Sequence, residues 1–95
     1  MRIENISRDI LKLADMVGEI SIGKRPINEA EGVVNALYIC YREAKLSRSK
    51  KAQKLVDLSF HWLNVATNKN LYSQYPNIAS SIGRVRAEAN YLAFN

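Results

Sequence analysis

The side chains able to do chemistry are few. His61 is the sole histidine and stands one helical turn after Asp57, a spacing at which a carboxylate can orient an imidazole for proton transfer. Cys40 is the sole thiol. A general base needs a nucleophile or a bound metal within reach, and no nucleophile elbow, glycine-rich phosphate loop or paired-carboxylate pattern accompanies Asp57 and His61. One histidine with one cysteine cannot complete a structural zinc site, and a lone cysteine cannot close an internal disulfide. The expectation is a protein without catalysis, metal or cofactor. His61 then reads as a solvated or partly packed histidine and Cys40 as a small hydrophobe at the edge of a helix face.

The other chemistry on offer is electrostatic. Residues 1–47 carry seven basic and seven acidic side chains, whereas residues 48–95 carry seven basic against two acidic, so the C-terminal half holds the entire net charge of +5. That half is steered toward an anionic partner, whether an acidic protein face, nucleic acid or the inner leaflet of a membrane. Arg48, Lys50, Lys51 and Lys54 form a basic patch that could meet phosphates. The helix they open is long and apolar, however, unlike a short recognition helix carrying polar base-reading residues. Nucleic acid is therefore not favoured as a partner, and a small basic nucleic-acid-binding helical protein stands as the alternative reading. The plainest account of the patch is a solvated cationic corner.

These side chains need helices to position them. Ile6, Ile10, Leu13, Val17 and Ile20 repeat at spacings of 4, 3, 4 and 3, the seam of a bundle helix, with Asn5 or Ser7 as its cap and Asp9, Asp15, Glu19, Arg8 and Lys12 on a solvated face. Gly23 suits a left-handed helix end and Pro26 cannot continue the ladder. Asn28 and Glu31 read as a capping box for a second helix facing inward through Ala30, Val34, Leu37, Tyr41 and Ala44. Leu46-Ser47-Arg48-Ser49 is a tight link to a third helix, whose broad apolar face centres on Leu55, Ser59, Trp62 and Ala66 and marks it as the innermost. Ile78, Ile82, Val85, Ala89 and Leu92 make a fourth stripe after a start at Tyr75 or Pro76. Gly83 in that stripe suggests close approach by a backbone or a bulky side chain, with Trp62 the candidate, the alternative being a neutral position on an edge. The expected fold is all-α: one domain over residues 1–95, an antiparallel up-down-up-down four-helix bundle with helices near 5–21, 29–46, 50–68 and 75–91.

Composition agrees with that class, at 47% hydrophobic and 24% charged residues with only 4 Gly and 2 Pro, which argues against disorder. The chain opens Met1-Arg2-Ile3-Glu4-Asn5 without a basic segment followed by an apolar one, and its longest apolar run is a few residues. Neither export nor membrane spanning is expected. A reducing cytoplasm is the expected location, with some peripheral membrane association.

The run from Leu58 to Tyr91 contains Ala66-Thr67-Asn68-Lys69, Tyr75, Ile82-Gly83-Arg84 and Tyr91, and it closely resembles the enterocin A immunity group of the class IIa (pediocin-like) bacteriocin immunity proteins. Gly18-Glu19-Ile20-Ser21-Ile22 and the basic turn before Pro26 also look like that family's first helix end, so the resemblance covers about residues 13–92. It implies a cytosolic four-helix bundle that protects the producing cell from its own pore-forming peptide. The implied partner is the mannose phosphotransferase permease with bacteriocin bound, blocked from the inside, with no small-molecule substrate. In that family the C-terminal half largely decides which bacteriocin is countered. The matching positions here are the link from Asn68 to Tyr75, the fourth helix and the tail. This sequence stops almost at once after Tyr91 where relatives carry a longer tail, which moves the expectation toward the link and the basic face. Partner recognition is accordingly expected at Asn68, Lys69, Asn70, Tyr72, Tyr75, Arg84, Tyr91 and Phe94, where the aromatic residues are of the kind interfaces favour. The expected state is a monomer, with a dimeric bundle as the structural alternative.

Overall fold

The computed structural model describes residues 3–68 and 78–94. Four helices carry it: α1 (Ile3–Ser21), α2 (Ala30–Leu46), α3 (Lys50–Thr67) and α4 (Ile78–Phe94), with no strand among the described residues. All five α1 seam residues are buried, as their spacing requires. The helix is already formed at Ile3, ahead of both expected caps. Ser7 sits one turn inside it, fully buried, with its hydroxyl oxygen lacking a hydrogen-bond partner.

The end of α1 is built around Gly23, at φ 78°. Lys24 N–H donates to the Glu19 carbonyl at 2.9 Å and Gly23 N–H to the Ile20 carbonyl at 3.2 Å, the paired closure of a left-handed helix end. Arg25 then ties the turn together, donating to Glu19 at 3.2 Å and Glu29 at 3.0 Å. The capping box expected of Asn28 and Glu31 does not form. Pro26 holds the extended backbone that a cap needs, at φ −60° and ψ 143°, and a 3-10 turn over Ile27–Glu29 leads straight into α2. Asn28 is thus already inside helical backbone, where its side chain cannot reach the free N–H groups.

The α2–α3 link repeats the same closure without a glycine. Arg48 takes φ 57°, Ser49 N–H donates to the Ala44 carbonyl at 3.0 Å, and Arg48 N–H donates to the Lys45 carbonyl at 3.1 Å. Ser49 then caps α3 by accepting from Ala52 N–H at 3.1 Å. Of the two serines in the link, it is the one in extended backbone, at φ −91° and ψ 100°.

Cross-helix pairs fix the direction of each helix. Arg8, Asp15 and Gly18 of α1 meet Phe94, Arg86 and Ile82 of α4 in reverse order, so these two run antiparallel. Lys51 of α3 meets Glu88 of α4, and Tyr38 of α2 stacks on Phe60 of α3 at 4.9 Å between ring centres. The short links reverse the chain between α1 and α2 and between α2 and α3, giving the up-down-up-down bundle. Helices α1 and α3 lie across its short diagonal and each touches all three others, whereas α2 and α4 have little or no contact. The innermost position is therefore shared: α3 was expected to hold it, but α1 packs at least as fully, most extensively against α4.

Two buried faces are rotated from expectation. In α2 the core residues are Val33, Leu37, Cys40 and Ala44, one position back from Val34 and Tyr41, which are only half-buried. Cys40 is consequently a core residue rather than an edge one. In α3 the face runs through Ala52, Leu55, Val56, Ser59 and Leu63, and Trp62 and Ala66 lie on its flank, half-buried. Ser59 satisfies its buried hydroxyl by donating to the Leu55 carbonyl at 2.8 Å. Gly83 has no heavy atom within 4 Å of where a Cβ would stand, so neither Trp62 nor a backbone approaches it. The close approach is at Gly18 instead, where a Cβ would meet Ile82 at 3.4 Å.

Candidate interaction face

The described members of the expected partner-recognition set, Asn68, Arg84, Tyr91 and Phe94, do not form one cluster. Lys69, Asn70, Tyr72 and Tyr75 lie outside the described residues, as does the start of α4 expected near 75–76. Asn68 caps the C-terminal end of α3, its backbone N–H donating to the Val65 carbonyl at 3.4 Å. Tyr91 and Phe94 belong to α4, which runs on to Phe94 rather than ending at 91. Because α4 is antiparallel to α3, they lie toward the end where α3 begins. Asn68 is therefore separated from them, and from Arg48, Lys50, Lys51 and Lys54, by most of α3, roughly 1.5 Å for every residue.

What the bundle brings together is a groove between α3 and α4. Lys54, Leu58 and Trp62 recur on α3 at steps of four, and Arg84, Val85 and Glu88 face them from α4. Leu58 and Trp62 are half-buried and form the apolar floor, while Lys54 and Arg84 are exposed cations on the rims. Lys51 closes one end by pairing with Glu88 at 3.2 Å. Arg48, Lys50, Lys54 and Arg84 form no ion pair among the described residues. The first turn of α3 also carries no acidic residue, so its lysines add to the positive end of the helix dipole instead of opposing it. This arrangement contributes nothing to helix stability and leaves the corner strongly electropositive.

The opposite side of α4 is different. Arg86 pairs with Asp15, and the Arg8 guanidinium lies 5.0 Å over the Phe94 ring. The face of α1 expected to be merely solvated thus supplies cross-helix partners, and Phe94, although 60% exposed, is turned toward α1. Tyr91 is 65% exposed, with no ring or cation partner among the described residues.

Little at this face supports acid–base chemistry. His61 and Asp57 are exposed on α3, and His61 packs edge-on against Trp62 at 4.7 Å. No group of three or more His, Cys, Asp or Glu among the described residues could hold a metal. Cys40 lies elsewhere, under the α1–α2 junction, where burial first and then Asp9 and Glu43 push its thiol up to about 11. It is protonated at neutral pH and a poor nucleophile. No helix among the described residues is long and apolar enough to cross a membrane.

The sequence alone missed Trp62 and Glu88 as groove residues. Tryptophan's mixed character was the available signal, since a ring with a polar edge favours boundary positions. Comparison with protein-family models, with curated proteins and with solved structures finds no match to this chain.

Proposed function

We propose that this chain is a class IIa bacteriocin immunity protein, working in the cytoplasm by binding the bacteriocin-occupied mannose phosphotransferase permease and performing no catalysis. The reading is supported by the sequence resemblance running through Ala66-Thr67-Asn68-Lys69 and Ile82-Gly83-Arg84, and by an all-α bundle of the kind that resemblance implies. The observation that carries it is the α3–α4 face, where Trp62 is half-buried and Lys54 and Arg84 stand without ion pairs among the described residues. A half-buried tryptophan in a groove with a cation on each rim is a composition that suits protein interfaces. The cations also suit work beside an anionic inner leaflet.

Expression in a sensitive strain tests the reading. Cells should survive one or more members of a panel of class IIa bacteriocins, and the protection should vanish when the permease is removed or exchanged. Unchanged killing across the panel refutes it. Arg48 and Lys50, which stand without ion pairs among the described residues, favour nucleic acid as the second reading, which predicts steeply salt-dependent binding. Absence of any DNA or RNA shift at low salt removes that reading.

A further inference from the structure

The α3–α4 groove has a shape and a charge pattern that together select an occupant. At about 240 Å³ it is smaller than most small-molecule sites, and its apolar floor is two side chains long, Leu58 and Trp62. One large apolar side chain fills such a space. Its rims carry Lys54 on α3 and Arg84 on α4, so an entering chain is flanked by positive charge on both sides. Glu88, the carboxylate lining the groove, is engaged by Lys51 at 3.2 Å and does not neutralise the rims.

We infer that this groove docks an acidic amphipathic helix of a partner protein, which inserts one Leu- or Phe-sized side chain against Trp62 and sets carboxylates one turn before and after it against Lys54 and Arg84. In a helix, residues three and four apart lie on one face, so a carboxylate on each side of an apolar knob reaches both rims at once. A membrane surface is flat and cannot enter a recess whose floor is half-buried between two helices. A nucleic-acid backbone brings phosphates but no apolar knob to fill the floor between Leu58 and Trp62. The inference rests on the protein-interaction reading above for its placement of the partner, and it adds that partner's chemistry.

The test uses the full chain and its single tryptophan as reporter. The probe is a synthetic helical peptide with one Leu flanked by Glu four residues before and three residues after, on an otherwise neutral Ala/Gln helix. Binding should shift Trp62 emission to shorter wavelength as the knob excludes water, and it should weaken with salt. Replacing the peptide Leu by Ala should abolish the shift. The double variant K54E/R84E should lose roughly tenfold in affinity, since each reversed pair changes from weak attraction to weak repulsion. A Lys-flanked peptide should recover most of that loss on the variant. Should K54E/R84E fail to fold, K54Q carries the test with roughly threefold weaker binding.

Peptide affinity that ignores the charge changes at residues 54 and 84 overturns the inference. So does an emission shift produced at lower concentration by phosphatidylglycerol vesicles or by a DNA duplex than by the peptide. Peptide binding without protection of a sensitive strain upholds the groove and removes the immunity reading. Protection without peptide binding does the reverse.

Discussion

Helix α4 has two working sides, and they are finished differently. Toward α1 it is closed by cross-helix contacts, with recesses of about 390 and 240 Å³ left beside Arg86: Ile82 packs at van der Waals distance over Gly18, Arg86 is paired with Asp15, and Arg8 covers Phe94. Toward α3 it is open, with Trp62 partly exposed and Lys54 and Arg84 forming no ion pair among the described residues. The two arginines are two residues apart on one helix, yet one serves the fold and the other stands clear of it. The difference lies in pairing: the α1 side uses its charges in the fold, and the α3 side leaves two cations without ion pairs among the described residues.

Mutations measure that difference. Ile82→Ala removes a buried side chain from the closed side and should cost about 3 kcal/mol in denaturant unfolding. Cys40→Ala tests closure of the core at the α1–α2 junction through pH. The folded thiol's pKa is raised from 9.0 to about 11, so its contribution is intact below pH 9.0 and is lost as pH rises to about 11, an effect on the order of 2 kcal/mol. Stability of the variant relative to the native chain should improve across that window, and a constant difference denies that the thiol is buried. Trp62→Ala should cost about 2 to 3 kcal/mol, the lower part of the range for a buried aromatic, because a minority of the ring faces water. A cost under about 1 kcal/mol would show that the ring is not packed on the groove floor. Smallest, Gly83→Ala should stabilise by about 0.5 to 1 kcal/mol, since the added methyl meets nothing and helix propensity improves.

Much of the bundle was legible because a repeating apolar stripe has few ways to be buried. The α1 seam and four of the five α4 stripe residues are core at the positions their spacing marks, and Gly23 ends α1 as its type suggests. The errors arise where residue type misleads about orientation. Tyr41 drew the α2 face one position forward, although a phenol hydroxyl favours the rim of a core and the smaller Cys40 takes its centre. In α3 Leu55 and Ser59 are central as their spacing marks, but Trp62 and Ala66, on the same stripe, lie on the flank because the buried face turns toward Val56 and Leu63. The Asn28 cap failed because Pro26 fixed the extended position two residues earlier. The groove was not legible at all. Its existence depends on the register that brings Arg84 and Glu88 opposite Lys54 and Lys51, and such cross-helix pairs leave no periodic trace in a single sequence.

The central claim, that the chain protects through the open side of α4, meets its most direct test in a sensitive strain expressing three forms at equal level. These are the native chain, the open-side variant K54E/R84E and the closed-side variant D15N/R86Q, which breaks an exposed pair costing about 1 kcal/mol or less. Survival against the countered bacteriocin should be full for the native chain, retained by D15N/R86Q and lost by K54E/R84E. Equal protection by all three forms, or loss only in D15N/R86Q, contradicts the account.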